Sequence, residues 1–289
     1  MSNLMNLLFK THAFRICKEN QPFWYTSGKI GPYFVNADYL YGSEEYSKEL
    51  LDFIDGELEN AKKEDIPEHI FQVVLDHYKT NEIYKTVIDT MKEYIENELN
   101  PFDIDYISGG ERRDWFFSIL LAYLLNKPHI TIYKDLTTVE SDCDFTISKV
   151  VTELPGKNVL HVADLLNQSA SFVRAWVPAI KDLGSKIKWS LFAVDRKQGG
   201  TETLEGIGIE VHSLLNIDTQ LFVSARNLGI INDAQLEMLK EFKEDPDGTM
   251  RSFLISHPEF LKNSLNSPSE KTRKRAQLMI DKDIYRLNG

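Results

Sequence analysis

Three short segments carry residues whose types and spacing suit phosphate and sugar chemistry. The first is Val162-Ala-Asp-Leu-Leu-Asn-Gln-Ser-Ala-Ser171, which follows a strongly apolar stretch and opens an expected helix. A strand running into a helix start aims backbone N–H groups and the positive end of the helix at one point, which suits a phosphate. Asp164 at the strand end can hold a ribose hydroxyl or a magnesium ion, and Ser169 and Ser171 can donate hydroxyls to phosphate. The plainer alternative is that Asp164 and Ser171 only cap the turn. The second segment is Asp195-Arg-Lys-Gln-Gly-Gly200. Its two glycines let backbone approach a ligand closely, and Arg196 can pair with a carboxylate through two parallel N–H groups. Alternatively Asp195 and Arg196 pair with each other and the glycines make a turn. The third is Ser108-Gly-Gly-Glu-Arg-Arg-Asp114, where Gly109 and Gly110 give a flexible anion-accepting turn and Arg112 and Arg113 supply two guanidinium forks matched to pyrophosphate. Glu111 and Asp114 can instead neutralise them in a structural ion-pair net.

The elements that must position these segments alternate. Expected strands are Asp105–Ser108, His129–Tyr133, Asn158–Ala163, Lys188–Val194 and Gly208–Leu214. Between them lie an apolar helix over Arg113–Leu125 and a helix over Ser169–Leu183 that Gly184 stops. Strands spaced by helices of this size predict an α/β chain with a parallel sheet. Ligands of such sheets bind at the carboxyl ends of the strands, so the loops Gly109–Asp114, Lys134–Val150, Asp164–Ser171 and Asp195–Gly200 are expected on one face. Two regions break the alternation. Ser43–Leu99 reads as helical throughout, with Ser43 as N-cap. The tail from Asp218 to Gly289 reads as helices punctuated by Pro246, Pro258 and Pro268, packing on the domain or on a partner subunit, with no chemistry visible in it. Its cluster Lys271, Arg273, Lys274 and Arg275 is a solvated face or an anion contact. Near the N-terminus, Phe23, Trp24, Tyr33 and Phe34 surround a glycine-rich turn. They suit stacking on a flat ring or, as readily, a core.

The 289 residues carry 33 Lys+Arg against 44 Asp+Glu, a net charge of −11, which argues against a sequence-blind nucleic-acid binder. Two cysteines make neither a disulfide framework nor a cysteine zinc site, and a reducing cytoplasm is the expected location. The longest apolar run, Trp115–Leu125, is too short to span a bilayer, and no signal peptide is evident.

Taken in order, these segments resemble orotate phosphoribosyltransferases of the type I phosphoribosyltransferase fold. Thr26-Ser-Gly-Lys-Ile-Gly-Pro-Tyr-Phe34 is similar to the family's N-terminal "KSGRxSPYF". Val162–Ser171 stands where the family has its phosphoribosyl diphosphate loop, "V(E/D)DVxTTGGS", and Asp195–Gly200 resembles "DRxEGG". The resemblance covers about residues 5–217, apart from a helical insertion at about 60–100. It implies a type I parallel sheet flanked by helices, with an N-terminal hood, that helical insertion and a helical C-terminal tail. The domain division expected is 1–217 for the phosphoribosyltransferase-like part and 218–289 for the extension.

The resemblance implies transfer of phosphoribosyl from phosphoribosyl diphosphate to orotate or a related small base, with magnesium, in a homodimer, without nucleic acid or membrane. By this carry-over Asp164 binds ribose and metal. Asn167, Gln168, Ser169, Ala170 and Ser171 form the phosphate loop, and Arg196 grips the orotate carboxylate. Phe34 and Val35 lie where the base is flanked, and Lys29 in the same segment is a substrate-binding candidate. Gly109, Gly110, Arg112 and Arg113 lie on the diphosphate side. The family's mobile catalytic loop, "RKxxKxHG", reaches in from a neighbouring subunit; here only Lys134 remains, among Asp135, Glu140, Asp142 and Asp144. The first acid of the ribose pair is Ala163, and the loop's two glycines are Ser169 and Ala170. These departures leave a second reading open: a catalytically degenerate relative that binds a phosphoribosyl compound or nucleotide. A structural or assembly subunit is a third.

Overall fold

A computed structural model describes residues 2–287 and divides the chain into two compact units, 1–13 with 36–216 and 14–35 with 217–289. The first unit holds a seven-stranded sheet: β1 (Tyr106–Gly110), β2 (His129–Ile132), β3 (Thr138–Ser141), β4 (Ser148–Val150), β5 (Asn158–Leu166), β6 (Lys186–Asp195) and β7 (Glu210–Asn216). Their order is β7-β6-β5-β1-β2-β3-β4. The five strands from β7 to β2 run parallel, and β3 and β4 add antiparallel at one edge. The expected alternation is therefore borne out, with β5 three residues longer than its apolar run. The segment Lys134–Val150 departs from expectation. It is no long loop but a turn and two edge strands, because Thr138-Val-Glu-Ser141 pairs residue by residue with His129–Ile132.

The helices of this unit are α1 (Ser2–Lys10), α2 (Glu44–Asn60), α3 (Ile66–Thr80), α4 (Glu82–Glu98), α5 (Trp115–Leu124), α6 (Val177–Asp182) and α7 (Gly200–Glu205). Helix α5 is apolar all round, and Trp115–Ala122 are all buried. A helix without a polar face needs cover on every side. The sheet supplies one side through β1 and β5, and α3 and α4 supply the other. Tyr84 of α4 donates its phenol to the Phe116 carbonyl in that contact. Ser43 and Asn81 cap α2 and α4 through their side chains, as the sequence leads one to expect for Ser43. On the opposite face of the sheet, α6 and the turn of π-helix before it, Phe172–Trp176, close a core with Ile130, Val159, Phe192 and Leu204.

The second unit joins the N-terminal hood to the tail. Phe14–Ile16 pairs with Tyr33–Val35 and Phe23–Trp24 with Ile30–Gly31, both antiparallel. Five helices follow: α8 (Thr219–Asn227), α9 (Asp233–Glu244), α10 (Pro246–Ser256), α11 (Pro258–Leu265) and α12 (Glu270–Asp281). Pro246 and Pro258 stand in the first turn of their helices, where a missing N–H is harmless. Tyr33 packs against Phe14, Phe222 and Phe242, and the Trp24 indole donates to Ser264 at 3.0 Å. Three members of the tail's basic cluster have partners within this unit: Lys274 pairs with Glu270, Arg273 donates to the Ser267 and Pro268 carbonyls, and Arg275 donates to the Trp24 carbonyl.

His129 opens β2 fully buried, with Nε2 3.0 Å from Ser118 Oγ and Nδ1 3.0 Å from Thr131 Oγ1. Burial, and then the neighbouring His161, push its pKa down to about 3. The unfolded chain thus takes up a proton near pH 6.5 that the folded chain refuses. Stability is fully present above pH 6.5 and falls as pH drops towards 3, by on the order of a few kcal/mol from this group. Denaturant titrations across that range should show the slope, and His129→Gln should flatten it.

Candidate functional site

The carboxyl ends of β1 and β5 bring the first and third sequence segments together. Asp164 lies within β5, two residues short of its end, and is only 8% exposed. Burial first, then the charges of Asp114 and Asp38, push its carboxyl well above the ordinary carboxylate range; Arg113 and the Leu165 N–H oppose this. Asp114 Oδ2 accepts from the Gly110 N–H at 3.0 Å and stands 3.4 Å from His161 Nε2, while His161 Nδ1 lies 2.9 Å from Ser108 Oγ. Asp38 Oδ2 accepts from Ser47 Oγ at 2.6 Å and faces Arg113 Nε at 3.2 Å. Asp38 and Asp164 thus share the Arg113 guanidinium, with Asp114 beside them.

Gly109 and Gly110 are not in a flexible turn but inside β1, buried. A Cβ at Gly110 would lie 2.2 Å from the Trp176 ring, so close packing with that tryptophan demands the glycine there. The loop proper is Glu111–Asp114. Arg112 contacts Asp55 of α2, and Arg113 takes Asp38; Glu111 turns instead to Lys134, Oε1 to Nζ at 2.9 Å and Oε2 to the backbone N–H at 3.1 Å. So the arginines are neutralised, but by Asp55 and Asp38 rather than by the loop's own acids.

The second pair of segments meets at the ends of β5 and β6. The Arg196 N–H donates to the Leu166 carbonyl at 2.9 Å, and Ser169 Oγ donates to the Gly200 carbonyl at 3.1 Å. Gly200 allows this closeness, since a Cβ there would meet the Asn167 carbonyl oxygen at 2.2 Å. Ser169 sits at φ +59, the left-handed region where a glycine is easiest. Asn167, Gln168, Ala170 and Ser171 are exposed, the last two opening the helix. Phe172 anchors this turn, edge-on to His161 at 4.6 Å between ring centres. Asp195 does not pair with Arg196. It accepts from the Lys197 N–H and Thr201 Oγ1 and faces the Lys197 ammonium at 3.0 Å. The buried Arg196 Nε has no hydrogen-bond partner among the described residues.

Lys29 and Phe34 belong to the second unit. There Lys29 pairs with Asp247 at 2.7 Å, and Phe34 packs with Phe23 and Tyr25 beneath the Arg15 guanidinium. Sequence reasoning missed Asp38 and His161. Each is a lone polar residue in an apolar run, Ala37–Tyr41 and Val159–Ala163, and that is the signal that could have found them. Asp55 gave no signal, being one acid among many on an amphipathic helix.

Among the described residues no group of three or more His, Cys, Asp or Glu side chains is placed to cage a metal. Magnesium is commonly held by one or two carboxylates together with substrate phosphates and water. Asp164, a single carboxylate in a pocket of surplus negative charge, fits that mode and not an all-protein cage.

No protein-family model matches the chain. It is 31% identical over 153 residues to the adenine phosphoribosyltransferase of Halothermothrix orenii, covering 48% of this chain and 86% of that protein. It is 22% identical over 161 residues to the orotate phosphoribosyltransferase of Sulfolobus acidocaldarius, covering 56% and 76%. The crystal structure of the Francisella tularensis orotate phosphoribosyltransferase aligns with a TM-score of 0.51 at 14% identity, over 84% of this chain and 98% of that one. A parallel sheet with a buried aspartate and an exposed helix-opening loop at its carboxyl edge accords with these likenesses, and the chain belongs to the type I phosphoribosyltransferase family. Among the described residues no helix is long and apolar enough to cross a membrane.

The raised Asp164 carboxyl has a thermodynamic consequence. Below pH 3.8 it is protonated folded and unfolded alike. As pH rises above that value the unfolded chain releases the proton first, and stability is lost. Asp164→Asn should therefore raise the melting temperature at pH 7–8 and leave it nearly unchanged at pH 3.5, as read by calorimetry.

Proposed function

We propose that the protein transfers phosphoribosyl from phosphoribosyl diphosphate to orotate or a related anionic base. In this reaction a ring nitrogen of the base forms a bond to ribose C1, and the C1–oxygen bond to pyrophosphate breaks. The observation that carries the acceptor is Arg196: a guanidinium at a strand end whose buried Nε has no partner among the described residues. Orotate carries a carboxylate that such a fork takes up, and adenine carries no anionic group.

The family membership and the exposed helix opening at Ala170–Ser171 support phosphoribosyl diphosphate as donor. In this reading the amides of 168–171 hold the 5′-phosphate and Asp164 accepts from a ribose hydroxyl. Arg112 and Arg113 face the departing diphosphate with the guanidinium N–H groups that Asp55 and Asp38 leave free. Magnesium, when bound, supplies positive charge at the diphosphate and ribose oxygens. Charge stabilisation at the leaving group and positioning of C1 are the main sources of rate in such a displacement.

A binding relative without turnover is the second reading. It is favoured by Ala163, buried where the family's ribose pair has its other acid, and by Lys134, whose ammonium is already paired with Glu111.

The test is pyrophosphate release from phosphoribosyl diphosphate and magnesium with orotate or with adenine. Turnover with orotate is expected, abolished in Asp164→Asn. Arg196→Ala should lower kcat/KM for orotate about 100-fold, as removal of a charged pair does. Turnover with adenine alone refutes the orotate assignment. No turnover with either base, in protein whose melting temperature still rises with phosphoribosyl diphosphate, supports the binding relative.

A further inference from the structure

The cations around the Glu111–Asp114 loop are fixed by the same chain, through a segment the site chemistry left unused. Helix α2 supplies Asp55 to Arg112. The turn between α2 and α3 supplies Lys63, whose ammonium contacts Asp135 and stands 2.9 Å from Thr137 Oγ1. The Lys63 carbonyl accepts from the Tyr133 phenol at 2.7 Å, and its ammonium lies 5.1 Å from the Tyr133 ring centre. The turn Tyr133–Thr137 closes on itself through Tyr133 N–H to the Thr137 carbonyl and Leu136 N–H to the Tyr133 carbonyl, both 2.9 Å. Glu111 then ties this turn to the arginine loop through Lys134. The stretch in which the resemblance implies a mobile loop from a neighbouring subunit thus opens with a short turn clamped on two sides and continues into edge strand β3.

We propose that Asp55 and Lys63 are positioning residues that hold Arg112 and, through the 133–137 turn, Lys134 in place for diphosphate before substrate arrives, so that one chain completes its own diphosphate site. The proposal rests on the phosphoribosyltransferase reading above. A guanidinium has five N–H donors, and one carboxylate partner leaves others free for phosphate oxygens. Fixing long cationic side chains in advance removes the ordering penalty that a free lysine or arginine carries on binding. Asp55 and Lys63 are 50% and 35% exposed, so substitutions there leave the buried core intact.

Two measurements test this. Isothermal titration of inorganic pyrophosphate with magnesium into the full-length protein reads the diphosphate site without any acceptor base. Asp55→Asn and Lys63→Met should each weaken binding at least tenfold with melting temperatures near wild type, and Lys63→Arg should restore most of it. Wild-type affinity in both variants, or no pyrophosphate binding by the wild type, overturns the proposal. The second measurement mixes two inactive chains, Asp164→Asn and the double variant Arg112→Ala, Lys134→Ala, after reversible unfolding and refolding together. A site completed by one chain gives no recovery. A site shared across a two-fold interface regains up to about a quarter of wild-type activity and overturns the proposal. Pyrophosphate binding that depends on Asp55 and Lys63, in a wild type inactive on orotate and adenine, supports this inference while removing the transferase reading.

Discussion

Asp164 is a carboxyl group buried beside two others, Asp114 and Asp38, and one arginine, Arg113, opposes the charge of Asp164 and Asp38. Isolated, such a charge is expelled from a protein interior or neutralised by a proton. The surroundings of Asp164 act in that direction, pushing its carboxyl well above the ordinary carboxylate range. Asp114 is held by the Gly110 N–H and His161, Asp38 by Ser47 and Arg113, and the sheet fixes the backbone that carries Asp164. The charge imbalance favours a positively charged or hydrogen-bond-donating ligand over the empty site. Functional sites commonly keep such a local destabilisation, which the rest of the fold offsets.

That offset comes from the layers around α5. The helix is too apolar to lie on a surface, so the sheet and the α3–α4 pair enclose it. The insertion thereby has two physical roles. It completes a core, and its α2–α3 turn reaches the Tyr133–Thr137 turn through Lys63. A helical insertion that also clamps the 133–137 turn makes the antiparallel edge, β3 and β4, a natural continuation of the sheet.

The two loops at the ends of β5 and β6 show how packing substitutes for sequence motif. Ser169 adopts the left-handed conformation at a place where the resembling family carries glycine, with its hydroxyl bonded to Gly200. The turn takes a left-handed residue although glycine, which most easily adopts that conformation, is absent. Gly200 supplies the missing room by bringing its backbone against Asn167.

The sequence alone determined the strand–helix alternation, the buried character of α5, the helical insertion and tail, and the family. Each is written in local apolar spacing, in N-caps such as Ser43, or in the order of short motifs, and all act over a few residues. Asp164 and Arg196 could be picked out as candidates because each lies near a strand end beside a loop of small and polar residues. What the tertiary structure decided was partnership. Asp38 meets Arg113 across 75 positions and Asp55 meets Arg112 across 57, and no local pattern encodes either pairing. Gly109 and Gly110 looked like a turn until Trp176 was brought over the strand. The acidic stretch after Tyr133 looked like a long loop until its alternate residues found a strand to pair with. In each case the deciding contact joins residues far apart in the chain, and only the closed fold brings them within reach.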